Sequence, residues 1–206
     1  MFLLQRYAAS AGGAMRRHLV QGAIFVFLAS CALASPAHAQ NREKAWEINP
    51  YVGYFSFSKV DGVTVLDNTW DIGFRFGYHM TKHHEIEFGF FGGTTNDPIH
   101  NLNVDLLGGQ MDYVHNWFIH HRDKVVLFAD AGVGVINTSS FGFVTDTNLV
   151  GDKVHGSYNY GGGIRFFGGR RAGFRIDLRR VTFSENGSAI HYLEPTMGMT
   201  IVLGGA

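Results

Sequence analysis

Few residues in this 206-residue chain are placed to do chemistry. His155-Gly156-Ser157 sets an imidazole and a hydroxyl two positions apart, on one face of any strand, with Glu185 or Glu194 downstream as a third group. A serine nucleophile needs a base within hydrogen-bond reach and a carboxylate behind that base. The same face also carries Asn159, Gly161 and Arg165, so it reads as a polar interior where an acyl substrate cannot enter. The pairs His83-His84 and His120-His121 invite a metal reading. Adjacent strand residues point to opposite faces, however, and no HExxH or cysteine spacing accompanies them. Gly161-Gly162-Gly163 is no phosphate loop, because no helix follows to offer its amides. Asn186-Gly187-Ser188 fits a glycosylation acceptor and, more simply, the tip of a tight turn. No catalytic residue, metal or cofactor is expected.

The composition narrows the class. Lys and Arg total 17 against 17 Asp and Glu, so no basic surface for nucleic acid is foreseen. Charged residues make up 17% and aromatics 14%, which excludes a disordered chain. The 27 glycines with only 4 prolines point to strands, turns and close backbone approach.

Residues 1–39 contain no acid. Met15-Arg16-Arg17-His18 is cationic, Leu19–Ala34 is apolar, and Ala37-His38-Ala39 supplies small residues around a cut before Gln40. That order describes a secretory signal peptide, complete from Met15 as well as from Met1. The apolar run is short for a spanning helix, which needs about 20 residues. Leu28-Ala29-Ser30-Cys31 resembles a lipobox, in which the chain's one cysteine would be lipidated; with a cut after Ala39 that cysteine leaves with the signal. The expected mature domain is therefore 40–206. Losing Arg6, Arg16 and Arg17 turns a balanced charge net negative.

From Trp46 onward the apolar period is two. Trp70, Ile72, Phe74, Phe76, Tyr78 and Met80 alternate with Asp71, Gly73, Arg75, Gly77 and His79. A strand separates those sets onto two faces, whereas a helix scatters them and bears the cost of the glycines. The same reading covers segments around Ile86–Phe90, Val125–Val135, Tyr158–Phe166, Phe174–Leu178 and Met197–Leu203. Trp46–Phe57 and Val104–Trp117 alternate more weakly and bring the number of strands to eight. Pro50 and Pro195 then fall in the first and last strands, where bulges or strand ends must absorb the missing donors.

Alternation alone also fits a soluble sandwich or a periplasmic lipocalin-like binder. Three features favour a membrane. The segments span roughly 9–13 residues, the reach of a tilted strand across a bilayer. Connections alternate between long (Ser58–Thr69, Thr94–Asn103, Asn137–Lys153) and short (Thr81–His83, Ile119–Asp123, Gly168–Arg171), with Ser184–Ile190 intermediate. Aromatics gather near segment ends: Trp46, Trp70, Tyr78, Trp117, Phe118, Phe166 and Tyr192. Strands cross lipid only as a closed barrel, since every backbone group must be paired there.

Three stretches carry a family resemblance: Trp46-Glu47-Ile48-Asn49-Pro50-Tyr51-Val52-Gly53-Tyr54, Arg175-x-Asp177-x-Arg179 and Gly198-Met199-Thr200. Together with the signal they resemble the small, OmpA-like outer-membrane β-barrel domain proteins of Gram-negative bacteria, over essentially all of 46–204. The resemblance implies an all-β, eight-stranded, antiparallel up-and-down transmembrane barrel in the outer membrane. It also implies insertion by the barrel assembly machinery, although Leu203-Gly204-Gly205-Ala206 lacks the aromatic ending usual for such substrates. A monomer is expected.

Eight strands enclose a bore that side chains nearly fill. The inward set would hold Asp71, Arg75, Glu85, Glu87, Asp112, Asp130, Arg165, Arg175, Asp177, Arg179 and Glu194. Charges of both signs in so narrow a space should pair into a network that plugs the lumen. The inward glycines leave room for water, which argues for a weak ion or small-solute path. Lys82-His83-His84, His120-His121-Arg122-Asp123-Lys124 and Arg170-Arg171 would form a basic periplasmic rim, facing anionic lipid or simply solvated. The expected role is non-enzymatic: a structural, surface-exposed barrel with weak pore activity. The alternative is adhesion or recognition of an extracellular ligand through loop 137–153, which carries Phe141, Phe143 and Leu149.

Overall fold

The computed structural model describes residues 43–205 except 60–61, 63, 65, 99–101, 120–123, 142–152, 169–170 and 186–187. The signal-like segment and Cys31 lie outside the described residues.

Eight strands follow in chain order: β1 (Ala45–Phe57), β2 (Thr69–His79), β3 (His84–Asp97), β4 (Leu102–Phe118), β5 (Val125–Phe141), β6 (Lys153–Phe167), β7 (Ala172–Glu185) and β8 (Ser188–Gly204). Each pairs antiparallel with the next, and β8 closes on β1. The register staggers as the wall is followed. Ala45 pairs with His79, and the line continues through Glu85, Val114, Asp130, Gly161, Arg179 and Glu194. It returns to β1 between Gly53 and Ser56, about ten residues above its start, as closure of tilted strands requires.

Both prolines sit inside strands, not at the expected bulges or ends. They lie on the β1–β8 seam, where the ladder lapses between Ile48↔Ile201 and Tyr51↔Gly198 and again between Gly53↔Thr196 and Ser56↔Leu193. At the first lapse a side chain takes the place of the missing donor: Asn49 Nδ2 donates to Met199 O at 2.9 Å.

The strands run longer than the sequence suggests, from 11 residues in β2 to 17 in β4, β5 and β8. Three connections shrink accordingly. Thr94–Asp97 belong to β3 and Leu102 with Asn103 to β4; Asn137–Phe141 extend β5 and Lys153 begins β6; Ser184 and Glu185 end β7 while Ser188 begins β8. Polar residues carry these extensions, because hairpin arms keep their ladder bonds in water as well as in lipid. Phe143 and Leu149 lie outside the described residues.

Trp70 (67% exposed), Val133 (65%) and Ile72 (64%) stand on an outer wall whose alternate positions are aliphatic or aromatic. Left in water, each such side chain would forfeit about 1.5–3 kcal/mol of burial, so the wall calls for lipid around it. Trp46 stacks on Phe76 at 4.8 Å and meets Tyr78 at 4.6 Å near the end holding the short turns. Tyr54 meets Trp70 at 5.2 Å toward the other end.

Candidate functional site

The inward faces form three layers. At the end where β1 begins and β8 ends, Ala45, Val126, Phe167 and Val202 make a small apolar floor with Phe118 against it. Toward the opposite end Tyr51, Phe55, Phe91, Val104, Leu106, Ile136, Val181, Phe183, Ile190 and Tyr192 form a second apolar cluster. Phe55 is its hub, edge-on to Phe91 at 5.6 Å and to Tyr192 at 4.9 Å. Between these layers lies the charge.

Four arginines, each 0–1% exposed, define the middle layer. Glu87 of β3 is its centre: it lies 2.5 Å from Arg175, 2.7 Å from Arg179 and 3.7 Å from Arg75. Asp177 of β7 is the second anchor, at 3.0 Å from Arg75 and 3.1 Å from Arg175, and it accepts a hydrogen bond from Thr196. Arg179 reaches across to Asp112 at 3.3 Å and Asp130 at 3.5 Å. Asn159 Nδ2 donates to Asp112 at 2.7 Å. Arg165 donates to Glu85 at 2.9 Å and to Asn116 Oδ1 at 3.1 Å. Aromatic faces join in: Arg75 lies 3.9 Å over Tyr51, and Arg175 4.3 Å over Phe128.

Two of the expected lumen residues stand apart. Asp71 and Glu194 are buried with the rest, but none of their carboxylate oxygens meets a hydrogen-bond donor. Conversely, the structure adds Glu47, Asn49, His79, Asn116, Asn159, Thr196 and Thr200, which the sequence reading left out of the network. The omitted signal was parity: Glu47 and Asn49 alternate with Trp46 and Ile48, so they had to face inward.

His79 Nε2 meets Glu47 at 3.0 Å and His79 Nδ1 meets Glu85 at 3.6 Å. These three are the group whose ligand atoms gather within 4.8 Å among the described residues. The two carboxylates flank opposite ring nitrogens, and Arg165 already lies against both, 3.5 Å from Glu47 and 2.9 Å from Glu85. That geometry suits an imidazolium held between two acids better than a metal, which would need lone pairs converging on one point.

Four inward glycines make room for side chains. Tyr51 lies over Gly73, Phe91 over Gly108, Asp71 over Gly53 and Glu85 over Gly77, each so close that a Cβ would collide with it.

His155 lies inside the barrel near the outer apolar layer. Its Nδ1 donates to Ser184 O at 2.9 Å, its Nε2 meets Thr138 Oγ1 at 3.3 Å, and its ring rests on Phe183 at 5.7 Å. Both nitrogens are thus engaged away from Ser157, and Glu194 lies deeper, across the ladder from Arg179. On the outer wall His84 and His115 cluster with Tyr113 and Trp117 beside a short turn, and His83 lies between His115 and the inward-turned Phe118. His83 Nδ1 bonds Asn116 O at 2.9 Å and His84 bonds the Tyr113 hydroxyl, so these rings act as girdle aromatics. His120 and His121 lie outside the described residues.

The family model described as outer membrane protein beta-barrel domain matches residues 25–197. No curated protein matches the chain in sequence. Among solved structures, Neisserial surface protein A is similar at a TM-score of 0.59 and 9% identity, covering 77% of this chain and 99% of its own. The outer membrane protein OprG from Pseudomonas aeruginosa gives 0.56 and 11%, with 82% and 100% covered. The attachment invasion locus protein Ail of Yersinia pestis, in complex with the heparin analogue sucrose octasulfate, gives 0.54 and 14%, with 78% and 99% covered. Identities this low speak for a shared fold alone.

Proposed function

Because the chain belongs to the outer membrane protein β-barrel domain family, we propose that it is a non-enzymatic, surface-exposed barrel whose lumen is a structural plug. One observation carries this reading: the ion network is capped by apolar side chains at both ends, Phe55, Phe91 and Tyr192 on one side and Val126, Phe167 and Val202 on the other. An ion crossing the bore would have to shed its hydration against hydrocarbon on either side of the ion network. Weak pore activity is correspondingly disfavoured. The engagement of His155 by Thr138 and Ser184 supports a non-enzymatic role. Residues 1–39 act in this reading as a cleaved export signal. The barrel assembly machinery inserts 40–206 as a monomer, short turns toward the periplasm, the orientation usual for such barrels.

Planar-bilayer recording of the refolded mature domain tests the plug. Closed-level traces are expected; a steady, ion-selective conductance in every inserted molecule would return the lumen to the role of a path.

Recognition at the cell surface is the second reading, favoured by the long arms of β3, β4 and β5. These carry Thr94, Asn96, Asn103, Asp105, Asn137 and Ser139 outward beyond the apolar wall, and Thr94 Oγ1 donates to Asp105 at 2.8 Å to stiffen the rim. A ligand would meet that rim.

A further inference from the structure

Among the described residues, Arg180 is the one lysine or arginine that points outward from a strand. It is exposed on β7, and no described residue offers it an ion pair or hydrogen bond. Arg179 next to it turns inward and meets four carboxylates, so the two arginines occupy opposite chemical worlds. A cation on the lipid-facing wall carries a depth-dependent cost with nothing in the protein to offset it.

Its height suggests what does. Arg180 stands eight positions along β7 from Ala172, at the short-turn end. At the rise of a tilted strand that is about 20 Å, near the outer edge of an apolar band about 25 Å tall. The side chain's methylene stem can lift the guanidinium to the interface. Around it the wall changes character. Tyr160 is directly across the ladder on β6, with Tyr158 opposite Thr182 one step higher. Thr182 Oγ1 and His191 Nδ1 meet at 2.9 Å, which leaves the far nitrogen of His191 for an outside partner. Leu178 below it on β7 and Leu193 directly across the ladder on β8, 52% and 44% exposed, continue the apolar surface. A guanidinium, two phenols and an imidazole above a hydrocarbon strip match an amphiphile with a phosphate, a sugar-like polar head and acyl chains.

We propose that Arg180, with Tyr158, Tyr160 and His191, forms a binding site on the outer wall for the phosphorylated glycolipid headgroup of the outer leaflet. The site is independent of the lumen and stands whether or not the bore conducts.

The test uses the folded barrel in nanodiscs, with native mass spectrometry reading retained lipid. The probes are diphosphorylated lipid A, the same lipid dephosphorylated, and phosphatidylglycerol. Wild type should retain the diphosphorylated lipid in preference to both others. Arg180→Leu should weaken that retention about tenfold, the equivalent of 1.4 kcal/mol, and Arg180→Lys should weaken it less. Arg180→Leu leaves the lumen untouched, and a gel-mobility shift on boiling checks its fold. A second measurement guards the sign: Arg180→Leu should raise the unfolding temperature in plain phospholipid and lower it when lipid A is present. Equal retention by wild type and Arg180→Leu would overturn the site. Equal retention of dephosphorylated lipid would overturn the phosphate, and equal retention of phosphatidylglycerol would overturn the glycolipid.

Discussion

The middle and outer layers of the lumen are built from the same faces of the same strands, yet they cohere by opposite means. In the outer layer Phe55, Phe91, Phe183 and Tyr192 touch edge to face, and each contact is individually weak and partly replaceable. In the middle layer Glu87 and Asp177 each answer three arginines within 3.7 Å. Removing a phenyl ring leaves a hole, while removing Glu87 strips one carboxylate from Arg75, Arg175 and Arg179 at once and leaves Asp177 shared among all three. The charged layer thus depends on a few hubs, and the apolar layer spreads its cohesion over many contacts. In the proposed plug the seal, by contrast, belongs to the apolar layers.

Substitutions can separate these roles. The largest effect is expected from Glu87→Ala, a loss of about 3–5 kcal/mol as for one partner of a buried ion pair. Urea titration of the barrel in lipid vesicles would measure it, and a loss below about 1 kcal/mol would break the hub description. Phe55→Ala should cost about 3 kcal/mol by cavity formation, and Phe55→Ala with Phe91→Ala should also open channel events in planar bilayers. Glu87→Ala should destabilise without opening them. If instead the charge variant conducts and the double phenylalanine variant stays silent, the seal lies in the ion network. The smallest effect is expected from Asp71→Asn. Its carboxylate oxygens have no donor, so losing the charge should leave stability unchanged or raise it by about 1 kcal/mol on the same urea titration.

The comparison also sorts what was legible in the chain. Asp71, Arg75, Glu85, Glu87, Asp112, Asp130, Arg165, Arg175, Asp177, Arg179 and Glu194 all occupy inward positions because side-chain direction alternates along a strand, a local property. Glu47 and Asn49 obeyed the same rule and were passed over because β1 mixes Tyr51 and Phe55 into its inward face, blurring the polar pattern. The outer apolar layer was obscured for that reason: Ile136, Val181 and Phe183 are inward residues that resemble outward ones by type. The strand ends were misplaced because polar hairpin arms and true loops share a composition.

Strand number, antiparallel order and the two faces of each strand follow from the sequence by itself, since each depends on neighbours a few positions apart. Partner choice inside the bore does not. Arg75 meets Asp177 across 102 positions and Arg175 meets Glu87 across 88, pairings set by the stagger with which β8 closes on β1. Only closure brings those heights into line. It alone decides that inward glycines shelter Tyr51 and Phe91, that Asp71 and Glu194 are left without a close ion pair, and that hydrocarbon flanks the ion network on both sides.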